Sequence, residues 1–331
     1  MKMNNTVTQH EQKLNNLNGV ARSLKRNGKQ FKASFRKYWF LYLMILPGLI
    51  TLAIYAYGPI IIQVVLAFTD YRFVDGVFGS RYVGFENFVT LFTEIPEVKR
   101  IIENTLIMSF WYFICGFFPS LILAIFLFDL RSNKFRKFSQ TIVYIPHFFS
   151  WIIVYSIVYG LLSNTGIVNA IITHFGGERI EFLMEPDMIR PILIISSTWK
   201  RIGWGTIIYL AAMQSIDVNL YDAAKLDGCG PIRRIFAVTL PGIRHITYFL
   251  LIQALGGVLS GGDTEQILQF YNYSNISKAD TIGTWVYRIG YNDIGMYSIS
   301  AAMSFIQSTV GLIFVLISNH ISIKKVGVGI W

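Results

Sequence analysis

Thr105–Phe128 reads TLIMSFWYFICGFFPSLILAIFLF, 24 consecutive residues without an Asp, Glu, Lys or Arg. A bilayer core of roughly 30 Å takes about 20 mostly apolar helical residues to cross. In lipid only a helix or a closed barrel satisfies every backbone N–H and C=O. One such run predicts a spanning helix; several predict a multi-spanning protein. Working outward, five further stretches have this character: Trp39–Phe68, Gln140–Leu162, Pro191–Ala212, Ile246–Gly261 and Tyr297–Ile321. The fifth in chain order is the weakest, being short and interrupted by Gly256 and Gly257. The composition agrees, with 53% hydrophobic and 15% charged residues among 331 and a positive mean hydropathy. The fold class expected is an all-α integral membrane protein of six transmembrane helices.

The 29 Lys and Arg against 19 Asp and Glu could signal a nucleic-acid partner. Their placement argues against one. Nine precede the first span; Arg131, Lys134, Arg136 and Lys137 follow the second; Lys225, Arg233, Arg234 and Arg244 follow the fourth; Lys324 and Lys325 close the chain. That puts 19 on one side, against eight in the three opposite loops (about 69–103, 163–190 and 262–296) and two inside the fourth span. Cytoplasmic loops retain such residues, so both termini are expected in the cytoplasm. The layout expected is a polar basic tail over 1–37, a six-span domain over 38–323 and a cytoplasmic end over 324–331. The first 37 residues lack the apolar core and small-residue site of a cleaved signal peptide. Cys115 and Cys229 have neither disulfide nor metal-ligand spacing.

Between the fourth and fifth spans, the cytoplasmic segment 215–245 contains DVNLYDAAKLDGCGPIRRIFAVTLPG over 217–242. Asp217 can cap a short helix, Gly228 can take the left-handed stop position and Pro231 can open a second helix. The paired Ala223 and Ala224 offer a smooth face for close packing by another protein. This segment resembles the coupling loop of binding-protein-dependent ABC importer permeases, Glu-Ala-Ala, three residues, Gly, nine residues, Ile, one residue, Leu-Pro. Asp222-Ala223-Ala224, Gly228, Val238 and Leu240-Pro241 keep that spacing, with Asp222 replacing Glu and Val238 replacing Ile. An ordinary helix hairpin is the plainer alternative. The resemblance covers most of the chain beyond the tail and is nearest to sugar permeases of the maltose-transporter type, the polysaccharide and complex-carbohydrate group. Similar segments are 82–88 (YVGFENF), Asn104-Thr105-Leu106, 145–148 (IPHF) with Ser150-Trp151, Trp199-Lys200 with Gly203-Trp204, and 284–288 (TWVYR).

The resemblance implies a permease of the bacterial cytoplasmic membrane whose coupling loop docks on a partner ATPase through Asp222, Ala223, Ala224, Asp227, Gly228, Leu240 and Pro241. It also implies a second permease subunit, usually a different related chain, two ATPase subunits holding ATP and magnesium, and an extracytoplasmic binding protein that delivers an oligosaccharide. The outer loops would form the docking surface and gate. No cofactor is expected on this chain, and no enzymatic activity: the sequence has no Gly-x-x-x-x-Gly-Lys-Ser/Thr phosphate cradle, no His-Glu-x-x-His and no nucleophile elbow. A secondary transporter would need coupling carboxylates inside the spans, and the six spans contain no Asp or Glu. A non-sugar solute such as a peptide is the alternative within the importer class.

Lys200 and Arg201 lie in the middle of the fourth span. Charges at that depth cost several kcal/mol, so they ordinarily face a bundle interior or a watery cavity. Successive helical residues point about 100° apart, so only one of the two is expected to face a pathway; the alternative is that one or both anchor the partner permease or a carbonyl at a helix break. Trp199, Trp204 and Tyr209 offer faces for sugar rings, and Gln253, the glycine pairs 256–257 and 261–262, Asp263, Tyr271 and Asn272 form a second candidate segment. Dense glycine suits close helix approach or an unwound stretch beside a cavity. Trp111, Trp151 and Trp285 are expected at the membrane interfaces. The midplane cations suit an acidic sugar, because low dielectric strengthens attraction to a carboxylate.

Overall fold

The computed structural model describes residues 37–292, 294–327 and 329–330. The tail expected over 1–37 lies, apart from Lys37, outside them. Two units divide at Ile62 and Gln63. Among the described residues the first is a helical stretch, part of α1 (Lys37–Ala67), 31 residues with the π-helical turn Ala53–Tyr57 inside it.

In the second unit, a short antiparallel ribbon pairs β1 (Thr69–Asp70) with β2 (Arg81–Tyr82) and leads to α2 (Glu86–Thr93). The long helix α3 (Glu97–Phe128) follows, then α4 (Asn133–Tyr144), a 3-10 turn at Ile145–Phe148, α5 (Trp151–Leu162) and α6 (Ile167–His174). Next come α7 (Pro186–Gln214), α8 (Val218–Leu226), α9 (Pro231–Gly242) and α10 (Arg244–Gly256). The chain ends with α11 (Thr264–Phe270), α12 (Ile282–Asn292) and α13 (Tyr297–Val326), the last closed by Gly327 at φ 71°.

Four segments among the described residues are long and apolar enough to cross a membrane: α1, α3, α5 with α6, and α13. The α9–α10 pair, bent by 69°, makes a fifth when taken as one broken span. The third stretch differs from expectation. Instead of running from Gln140 to Leu162, the helix stops at Tyr144, and a new one starts at Trp151 with the Ser150 hydroxyl accepting from the Ile153 amide at 3.4 Å. Pro146 sits in the turn between them. The resulting apolar segment, Trp151–His174, lies further along the chain. The fourth stretch is one continuous helix, α7, long enough to cross a membrane but less apolar than the other four because Lys200 and Arg201 interrupt its apolar run.

The core is built on α3 against α7, joined by small residues. Any Cβ on Gly205 would come within 2.6 Å of the Ser120 hydroxyl, and Thr206 donates to the Ser120 carbonyl at 3.2 Å. The same device brings α10 to α13, where a Cβ on Gly311 would meet the Gly256 carbonyl at 2.6 Å. Close backbone approach through small residues is how helices associate without a hydrophobic drive between them. Apolar side chains such as Ile122, Phe126, Ile195 and Ile317 remain exposed on outer faces, as a lipid environment permits. Outside the spans a polar lock holds the segment 271–288. Asn104 donates to the Ser277 and Asp280 carbonyls and accepts from Arg190 at 2.6 Å. Buried Asp280 accepts from Thr284 and Arg288; burial raises its carboxyl pKa, and these two partners oppose the shift.

Candidate functional site

The 3-10 turn at 145–148, the middle of α7, the middle of α3, and the end of α10 with the unwound stretch after it line a cavity of about 680 Å³. From α3 come Ser109, Tyr112, Phe113, Gly116 and Ser120; from α7, Ser197, Thr198, Lys200, Arg201, Trp204, Gly205 and Ile208. The third wall is Leu250, Gln253, Ala254, Gly257, Ser260, Gly262 and Asp263, and His147 closes the site. Glycine is required at 262: its φ is 104°, and a side chain would run into the Tyr112 ring. The left-handed backbone there turns the chain out of α10 and delivers Asp263, whose carboxylate both caps α11 and faces the cavity.

Lys200 and Arg201 both line this cavity, which corrects the expectation that only one could. Their side chains are long enough to reconverge. Lys200 Nζ donates to the His147 carbonyl at 3.0 Å, and it lies 5.1 Å from the centroid of the Trp151 ring. The anchor at a helix break and the cavity role thus fall on one residue. Arg201 pairs with Asp263 Oδ2 at 2.6 Å, and Trp151 Nε1 donates to the same oxygen at 2.8 Å. Trp204 stacks on His147 at 4.7 Å and 8°. Behind the wall, Tyr112 donates to Gln266, which is fully buried and itself donates to the Leu193 carbonyl and Ser196 hydroxyl.

Of the sequence-predicted pathway residues, Lys200, Arg201, Trp204, Gln253 and Asp263 meet at the cavity. Four do not. Trp199 faces outward, tilted on Phe149 at 6.3 Å. Tyr209 is buried between α3 and α7 and meets Phe117 edge-on. Tyr271 joins the apolar cluster of Met108, Ile189 and Phe270. Asn272 builds its own loop, donating to the Leu183 carbonyl and accepting from the Ser274 amide. The expectation that Trp151 and Trp285 mark interfaces is also corrected, since both are buried. Tyr112, Phe113 and His147 escaped sequence reading, because nothing in an unbroken apolar run marks which face turns inward.

At the other end of α7, the Asp217 carboxylate caps α8 by accepting from the Asn219 amide at 2.9 Å. Gly228 takes φ 72° and Pro231 opens α9, as expected. Ala223 is exposed while Ala224 is buried, so one alanine of the pair faces outward. Asp222 and Asp227 are exposed, and Asp222 pairs with Lys225 at 2.8 Å, a surface contact of little energy. Leu226, Ile232 and Phe236 are all exposed on the hairpin. Leu240 is half-buried, and exposed Pro241 precedes Gly242, whose Cβ would meet Ile216 at 2.6 Å.

Residues 104–324 match the family described as the binding-protein-dependent transport system inner membrane component. The chain belongs to this family. The permease is 41% identical over 305 residues to the polygalacturonan/rhamnogalacturonan transport system permease protein YteP of Bacillus subtilis (strain 168), covering 92% of each chain. It is 38% identical to protein LplB of the same organism, over 90% of this chain and 92% of that one. Among solved structures it resembles a chain of a bacterial alginate ABC transporter crystallised with an alginate pentasaccharide-bound periplasmic protein, with a TM-score of 0.81 and 36% identity. That match covers 90% of the permease and 98% of the alginate transporter chain. The permease is therefore a transport component of the membrane, not an enzyme.

Proposed function

We propose that this permease is one of two membrane subunits of an ATP-driven importer that carries acidic oligosaccharides inward through the cavity between α3, α7 and α10. The observation that carries the substrate class is Lys200 and Arg201 together on the cavity wall, which Trp204, Phe113 and Tyr112 also line. Cations at midspan favour a carboxylate, and aromatic faces suit sugar rings. The names of two relatives, a polygalacturonan/rhamnogalacturonan permease and an alginate transporter, support an acidic saccharide.

The sugar arrives on an extracytoplasmic binding protein, and a second, related permease completes the pathway. The protein crosses the membrane six times: α7 and α10 join the four apolar segments, with the two cations of α7 on the cavity wall. Both termini lie in the cytoplasm, on the side of the 19 basic residues. The α8–α9 hairpin docks on an ATPase that binds ATP and magnesium, through Asp222, Ala223, Asp227 and the exposed Leu226, with Gly228, Leu240 and Pro241 setting the hairpin's shape and Ala224 packed behind.

The test is gentle purification of the tagged chain from its native cells with mass spectrometry of what accompanies it. A phosphate-cradle ATPase and a second permease are expected, with ATPase activity stimulated by binding protein loaded with uronate oligosaccharides. Recovery as a lone chain, with Asp222 and Ala223 substitutions leaving uptake intact, would overturn the reading.

A further inference from the structure

Among the described residues, the charged side chains on the cavity wall are Lys200, Arg201 and Asp263, two positive against one negative with histidine counted neutral. The two cations are not held alike. Lys200 is tied to the His147 carbonyl and the Trp151 ring. Arg201 has one Nη on Asp263, while its side chain remains 55% exposed. A guanidinium presents five donors in a planar fork that matches a carboxylate, so the unfilled side of Arg201 is available to a second one. Asp263 in turn is fixed from behind: Trp151 donates to the oxygen that Arg201 holds, and the other oxygen caps α11 through the Glu265 amide at 3.2 Å.

We infer that Asp263 is the specificity-determining residue of this cavity, an internal carboxylate that occupies Arg201 when the cavity is empty and yields it to a carboxylate of the passing sugar. This rests on the acidic-oligosaccharide reading above. The single excess positive charge lets one uronate at a time replace Asp263. A neutral sugar gives Arg201 nothing to exchange for its ion pair. Recapture of Arg201 by Asp263 then releases the sugar carboxylate, so binding stays weak enough for passage. Asp263 is 24% exposed and Arg201 55%, so the discrimination comes from the charge that an acidic sugar brings to the guanidinium and a neutral one lacks.

Asp263→Asn tests this cleanly, since asparagine keeps an acceptor for Trp151 and remains a good helix cap while losing the charge. In the assembled, nucleotide-free transporter in nanodiscs, binding of a radiolabelled galacturonate trisaccharide and of its methyl ester is measured by equilibrium dialysis. Wild type prefers the acid. Asp263→Asn binds the acid about tenfold tighter, in the ordinary range of site–site coupling, with the ester unchanged. Arg201→Gln binds acid and ester alike, and adding Asp263→Asn to it changes nothing further. A wild type that does not prefer the acid overturns both this inference and the acidic-substrate reading. If the wild type prefers the acid yet Asp263→Asn leaves its affinity unchanged, or shifts acid and ester equally, only the exchange is overturned. Loss of ester binding in Asp263→Asn would make Asp263 a structural residue and also refute it.

Discussion

Replacing Gly203 with alanine places a methyl group against the backbone of another helix. Gly203 is buried on α7, and a Cβ there would lie 2.9 Å from the Val143 carbonyl carbon and 3.1 Å from the Tyr144 Cα, nearer still to the Val143 oxygen. These are backbone atoms at the end of α4 and cannot swing aside, so the two helices must separate. Forcing one extra methyl into such a contact costs about 1–3 kcal/mol. Removing glycine from a helix interior returns about 1 kcal/mol, which obscures the cost in a single variant. Gly116, on α3, is the control: it gains the same propensity, and a Cβ there meets nothing within 4 Å. Subtracting one variant from the other leaves the collision alone, about 1–3 kcal/mol. At about 2 °C per kcal/mol for a chain this long, Gly203→Ala should unfold about 2–6 °C below Gly116→Ala. Scanning fluorimetry of the detergent-purified complex reads the difference. Uptake should fall in Gly203→Ala as well, because α7 carries Arg201 to Asp263. A Gly203→Ala complex that unfolds at or above the Gly116→Ala temperature would refute the account of this crossing.

Tyr209 has a buried hydroxyl without a hydrogen-bond partner among the described residues. Tyr209→Phe should therefore leave uptake kinetics unchanged and alter the unfolding temperature by no more than about 1 kcal/mol's worth, since no protein hydrogen bond is lost. Lys200→Met should destabilise the complex by about 1–3 kcal/mol, because it leaves the His147 carbonyl unpaired at a helix break. Arg201→Met, with a more exposed side chain, should cost less stability yet change acid-over-ester preference in uptake; equal effects of the two substitutions on both readouts would contradict the division of labour. Gly228→Ala forces a side chain to φ 72°, at a cost of about 1–2 kcal/mol. It should lower sugar imported per ATP hydrolysed, and Gly228→Asn, which tolerates that backbone better, should lower it less.

The apolar runs gave the membrane class without help from tertiary structure, because a bilayer constrains length and composition more than packing does. The α8–α9 hairpin was similarly legible: Asp217, Gly228 and Pro231 act within a few residues of themselves, so caps and breaks can be read in one dimension. The break at 145–148 was not. Pro146 marked it, but prolines are also tolerated inside membrane helices, as Pro119 is in α3.

The site was half legible. Rarity exposed Lys200 and Arg201, since a charge in an apolar span needs a reason. The sequence could not decide where their side chains end, because a long side chain overrides the 100° between neighbouring helical positions, and both reach one cavity. Nor could it separate Trp204, stacked on His147, from Trp199 and Tyr209 on other faces of the same helix. Asp263 drew notice only as part of a glycine-rich segment. Its pairing with Arg201 and Trp151 joins residues 62 and 112 positions apart. Local rules fix helices, caps and turns; which groups share a cavity depends on how those helices cross, and that is decided by contacts between segments distant in the chain.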